Sequence, residues 1–154
     1  MALRHRASHG FTLIELIATI TIMAIIAAVA LPRMTLAAPF LERGYADTLA
    51  ASLRQARAVA IASGCDVQFT VGAAGYNAMQ RAPGASNDCA KAGPFVTAVR
   101  RGDGDVLAAN MPAGVVLAAN RQFVFGSNGR AVGGPFNINV GPHALVVQPS
   151  GLVQ

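Results

Sequence analysis

The sequence predicts an α+β fold: a long N-terminal helix, transmembrane in its first half, packed on an antiparallel β-sheet domain. Three observations predict it. Phe11 to Leu31 is an apolar run interrupted by one ionisable residue, Glu15. From Phe40 to Ser63, residues Leu41, Tyr45, Leu49, Leu53, Ala56 and Ala60 recur three or four apart, the period of an amphipathic helix. Beyond Gly64 the period falls to two, in short apolar runs parted by glycine, proline and asparagine.

The first run comes first in the argument. Twenty-one residues at roughly 1.5 Å each reach about 30 Å, the hydrocarbon thickness of a bilayer. A membrane span over 11–31 is therefore expected, with a buried core helix as the alternative. The preceding "MALRHRASHG" carries Arg4 and Arg6 and no acid. Positive flanks stay cytoplasmic, which puts everything after Leu31 on the far side of the membrane. An ordinary secretory signal would be cut near Ala30 or Ala38; the other candidate is a cut before the run, at Gly10. A carboxylate in hydrocarbon costs a few kcal/mol at least, so Glu15 either has a use or lies near the membrane surface.

Composition agrees with an anchored chain of one ordinary domain. Of its 154 residues 53% are hydrophobic and only 12% charged, with mean hydropathy +0.45. The formal net charge is +5, from 12 basic and 7 acidic residues. Without Arg4 and Arg6 the excess is 10 − 7 = +3, too mild to call for nucleic acid.

Basic leader, Gly10, then "FTLIEL" and an unbroken apolar helix resemble the type III signal sequence of type IV pilins and type II secretion pseudopilins. The resemblance implies that a prepilin peptidase cuts after Gly10 and N-methylates Phe11. It also implies that the apolar run is kept, and that Glu15 meets the N-terminal amine of a neighbouring subunit in a filament. A carboxylate and an ammonium, each costly alone in an apolar core, are tolerable as a pair. A subunit out of register would leave both unpaired.

The remaining elements follow in order. Pro32 and Pro39 bracket "RMTLAA" and predict a bend or loosened stretch within the helix. The amphipathic continuation covers 32–64, its arginines on a solvated face, and Gly64 is placed to end it. "CDVQFTV" and "GYNAMQR" are expected to pair across "GAAG". Further strand candidates are "FVTAV", "GVVLA", "RQFVFG", "PFNINVG" and "HALVVQ", with a tight turn at Asn128-Gly129. "ADTLAASLRQARAVAIASGCDVQFTV" and "FVFGSNGRAVGG" with the tail after it resemble the GspH/FimT-type minor pilins. "VALPRM", "RGYADTLAASLRQAR" and "PSGLV" look most like the MSHA-type member of that group.

Constellations for chemistry are few. In an exported domain Cys65 and Cys89 are expected to pair; the alternative is two unlinked thiols. Two cysteines lack the further ligands zinc needs, so no metal is expected. His143 is the single histidine after Gly10, and no nucleophile, metalloprotease or nucleotide motif accompanies it. The chain is expected to be neither an enzyme nor a cofactor carrier. Asp103 and Asp105 in "RRGDGDV" read as a turn. Some FimT-like minor pilins are implicated in DNA uptake through a Gly-Arg-x-Arg pattern. Here that stretch is Gly129-Arg130-Ala131-Val132, which lacks the second arginine. Arg100, Arg101 and Arg121 are the residues that would have to gather near Arg130 to contact DNA, and nucleic acid is not an expected partner.

The expected organisation is therefore leader 1–10, assembly helix 11–31, helical continuation 32–64 and periplasmic β-rich domain 65–154. The expected protein is a minor pilin of an MSHA-like type IV pilus, with a GspH-like pseudopilin of type II secretion as the alternative and a DNA-binding minor pilin third. Its expected partners are other pilins or pseudopilins, prepilin peptidase, the inner-membrane assembly platform and, before assembly, membrane lipid.

Overall fold

A computed structural model describes residues 11–34, 37–81, 89 and 93–154; the side chains of residues 29–38 fall outside it. The chain divides after Ala37 into two compact units.

The first unit is helix α1, Leu13–Met34. Its sequence is apolar on every side rather than along one stripe. The two threonines within it do not break that character. Thr19 Oγ donates to Leu16 O at 2.8 Å, and Thr21 Oγ to Ala18 O at 2.8 Å. The helix thus satisfies both hydroxyls with its own carbonyls.

The second unit begins in helix α2, Ala37–Ser63. The loosened stretch expected between the two prolines lies partly at residues 35–36, outside the described residues. Pro39 stands in the first turn of α2, where a missing N–H removes no helical hydrogen bond. The predicted stripe is buried from its second member on: Tyr45, Leu49, Leu53, Ala56 and Ala60 are all within 5% of full burial, joined by Ala46 and Ala50, whereas Leu41 is 46% exposed. The helix stops at Ser63 because Gly64 takes φ +67°, a left-handed conformation that costs glycine little.

Against this stripe lies a six-stranded antiparallel sheet. Its strands are β1 (Val67–Gly72), β2 (Gly75–Arg81), β3 (Phe95–Ala98), β4 (Ala108–Asn110), β5 (Arg121–Phe125) and β6 (Ala131–Val132). The order is β3-β2-β1-β5-β6, with β4 pairing β2 beside β3. The β1–β2 hairpin turns at Ala73-Ala74, closing on the Gly72–Gly75 pair as the sequence predicts. A second sheet is the hairpin of β7 (Phe136–Val140) and β8 (His143–Val147).

Alternation sets the core. Val67, Phe69 and Val71 point inward with no exposed surface, and Phe123 and Phe125 beside them on β5 are buried too. A run of rings crosses this core. Tyr76 stacks on Phe69 at 5.6 Å, Phe69 on Phe123 at 6.0 Å, and Phe123 on Phe136 at 4.6 Å. The last contact ties the β7–β8 hairpin to the main sheet. Ser52 of α2 donates to Tyr76 Oη at 2.7 Å, fixing helix to sheet. Tyr45 has no hydrogen-bond partner for its hydroxyl among the described residues. Burial, and then the nearby Tyr76, push its phenol above the usual 10.0.

Three expectations need correction. "GVVLA" is not a strand: Pro112 and Gly114 (φ +89°) turn the chain, leaving Leu117 with one bridge to Val140. β4 was not anticipated, since "AAN" has no apolar alternation; it docks because Gly75 lets the backbone of Ala109 approach where a Cβ would collide. The α2 arginines are not all a solvated face. Arg57 Nε donates to Gly129 O at 3.0 Å, and Arg54 reaches Val153 O at 3.4 Å. Arg57 thereby joins α2 to the Gly126–Arg130 turn and to Gly151, whose φ of +80° and contact with Gly129 O leave no room for a Cβ.

Candidate assembly site

Glu15 lies one turn into α1, and its surroundings answer how its carboxylate is held. Thr12 precedes the helix, and its Oγ accepts from Glu15 N at 3.3 Å. In return Glu15 Oε2 accepts from Thr12 N at 3.3 Å and from Thr12 Oγ at 3.2 Å. This is a capping box, Thr-x-x-Glu, in which the cap and the third helical residue satisfy each other's donors. The carboxylate also sits at the positive end of the helix dipole. The spacing a capping box requires stands in "TLIE" itself. Gly10 lies outside the described residues. Phe11, the first residue described, is 71% exposed.

From Phe11 to Ala28 every side chain of this unit is exposed, including Leu13, Ile14, Ile20 and Met23. Burying one such side chain is worth about 1.5–3 kcal/mol, and the stretch carries many. Among the described residues no helix is long and apolar enough to cross a membrane. Leu13 to Ala28, the part with described side chains, rises about 24 Å at roughly 1.5 Å per residue. The expected span over 11–31 is longer than this part.

The other singled-out residues lie in the globular unit. A disulfide joins Cys65, just after α2, to Cys89, with the Cα atoms 5.2 Å apart. Ser63 organises this corner, accepting at its Oγ from Cys65 N at 3.2 Å and from Gln80 Nε2 at 2.8 Å. Closing a loop of 24 residues stabilises by about 3 kcal/mol in the chain-entropy model.

The basic residues do not converge. Arg101 donates to Tyr76 Oη at 3.2 Å, and Arg100 to Gly104 O at 2.7 Å. Arg121 starts β5 and donates to Asn137 O at 3.2 Å. Arg130 stands beyond the other end of β5, in the Gly126–Arg130 turn, where its N–H donates to Asn128 Oδ1 at 3.0 Å. Its neighbour across the turn is Arg57, not the arginines expected. Asp103 Oδ1 accepts from Asp105 N at 3.0 Å, an ordinary side-chain-stabilised turn.

An acid-capped apolar helix with no cover within its own unit, and a separate domain of helix on antiparallel sheet, define the type IV pilin-like class of structural subunits. Residues 5–31 match the prokaryotic N-terminal methylation motif. Residues 45–151 match the family described as type II transport protein GspH, and the chain belongs to that family. No curated protein and no solved structure matches it. The matched families are pilins and pseudopilins, structural proteins rather than enzymes; they are held in the membrane by the N-terminal helix and then assemble with other such subunits into a filament.

Proposed function

We propose that this chain is a minor pilin of an MSHA-like type IV pilus. One observation carries the reading: a helix apolar on all sides, exposed along its described length, with a single acid at its start. Such a helix needs lipid first and neighbouring helices afterwards. In this reading the span covers 11–31 in the bacterial inner membrane, with the globular domain in the periplasm. Prepilin peptidase cuts after Gly10 and methylates Phe11. The assembly platform then draws the subunit into the filament, where Glu15 meets the N-terminal amine of its neighbour. Nucleic acid has no part in it.

The second reading is a minor pseudopilin of a type II secretion system, favoured by the description of the matched family. The physics of assembly is common to both, so the test must be physiological. A deletion strain is scored side by side for surface pili and for secreted enzymes. Loss of pili with secretion intact is the expected result. Loss of secretion with pili intact would replace the first reading by the second.

A further inference from the structure

The apolar stripe of α2 outruns its cover. Tyr45 is 5% exposed, whereas Leu41, one turn earlier on the same stripe, is 46% exposed. Phe40, next to it in the chain, is 77% exposed, more than any other large apolar side chain described in the globular unit. Arg43, three residues on from Phe40 and so close to it on the helix surface, is exposed as well. The acid of this turn is drawn aside: the Glu42 carboxylate fills the space that a side chain at Gly141 would need.

That contact defines one end of the domain. Gly141 lies in the β7–β8 turn, and its N–H donates to Val116 O at 2.8 Å. The start of α2, this turn and Val116 therefore stand together, and Val116 is 64% exposed. Ser63, the last residue of α2, marks the opposite end, where it holds Gln80 beside β3. From Glu42 to Ser63 the helix rises about 31 Å at roughly 1.5 Å per residue. The chain itself bounds what lies near the first end. From Met34, the last residue of α1, to Phe40 even a fully extended backbone reaches at most about 22 Å. With α1 in a bilayer, the first end of the domain stays close to the lipid surface, while the opposite end is free to stand clear of it. Exposed Phe and Leu beside an arginine suit the boundary between headgroups and acyl chains, with the guanidinium at anionic phosphates.

We propose, on the reading that α1 spans a membrane, that this end of the domain rests on the lipid surface until the subunit enters a filament. Phe40, Leu41 and Val116 dip between the headgroups, and Arg43 meets the phosphates. The chain has no tryptophan, so a single introduced one reports contact with lipid. Full-length chains bearing Ile20→Trp, Phe40→Trp, Val116→Trp or Val96→Trp, all at exposed positions, are reconstituted in vesicles of phosphatidylcholine and phosphatidylglycerol. The phosphatidylcholine is brominated near the carbonyl end of its acyl chains, or left unbrominated as the reference. At least twofold quenching is expected at positions 20, 40 and 116, and none at 96, which lies on β3 at the opposite end. Arg43→Glu added to Val116→Trp is expected to weaken the quenching there. Quenching at 20 and 40 with none at 116 would overturn the docking and leave the membrane helix standing. No quenching at 20 would remove the membrane helix and the docking with it. Equal quenching at 96 and 116 would overturn the choice of end. Val116→Trp unquenched in vesicles but shielded from iodide in filaments would give this end to a neighbouring subunit instead.

Discussion

Glu15→Ala is expected to cut the copies of this subunit in filaments at least tenfold while leaving the globular domain folded. Two separate losses are involved. The capping box with Thr12 disappears, at about 0.5–2 kcal/mol for the start of α1. In the proposed filament the pair with a neighbour's ammonium would be lost as well, and breaking a buried pair costs about 3–5 kcal/mol. Glu15→Gln separates the two. Glutamine can make the same capping hydrogen bonds, giving up only the smaller dipole contribution, yet carries no charge to offer an ammonium. If pairing sets the register, Glu15→Gln fails to incorporate just as Glu15→Ala does, with helix content retained by circular dichroism. Wild-type incorporation of Glu15→Gln would reduce the acid to a helix cap. Quantitative immunoblotting of sheared filaments reads both variants.

Phe69→Ala carries the largest expected effect on stability, about 3–5 kcal/mol. The ring has no exposed surface and lies between Tyr76 and Phe123. Removing it opens a void in the middle of the ring array that joins α2, the main sheet and, through Phe136, the β7–β8 hairpin. Domains of this size are stable by about 5–15 kcal/mol, so the loss is a large share of the total. Urea unfolding followed by circular dichroism should show the midpoint falling accordingly. Val132→Ala, at a position 63% exposed, should shift it by less than about 0.5 kcal/mol. Equal effects from the two changes would mean that the core is placed elsewhere.

Elements whose residues report on their own surroundings were legible in the sequence. The stripe from Tyr45 to Ala60 and the alternation of Val67, Phe69 and Val71 each named the buried face before any coordinates, because burial follows periodicity. Gly64 and the Ala73-Ala74 turn were legible because backbone geometry is written in residue type. What depends on a distant partner was not. β4 exists because Gly75 admits it, and nothing in Ala108–Asn110 says so. Arg57 looks like any surface arginine until the Gly126–Arg130 turn folds under it. Of the four arginines considered for DNA, Arg121 and Arg130 lie at opposite ends of β5 while Arg100 and Arg101 follow β3, a fact of three-dimensional placement that spacing along the chain does not carry. Within the assembly site the acid was found from its apolar context. Its cap was overlooked, although Thr12 and Glu15 stand at the spacing a capping box requires.

In the proposed reading the apolar helix is retained as an assembly element, its amine meeting Glu15 of a neighbouring subunit, rather than removed with a leader. The N-terminal peptide of the protein isolated from native membranes and filaments tests this most directly, by mass spectrometry. The expected chain begins at Phe11 and carries one additional methyl group on its α-amine. A chain that begins after Leu31, or one that keeps its first ten residues in the filament, would contradict it.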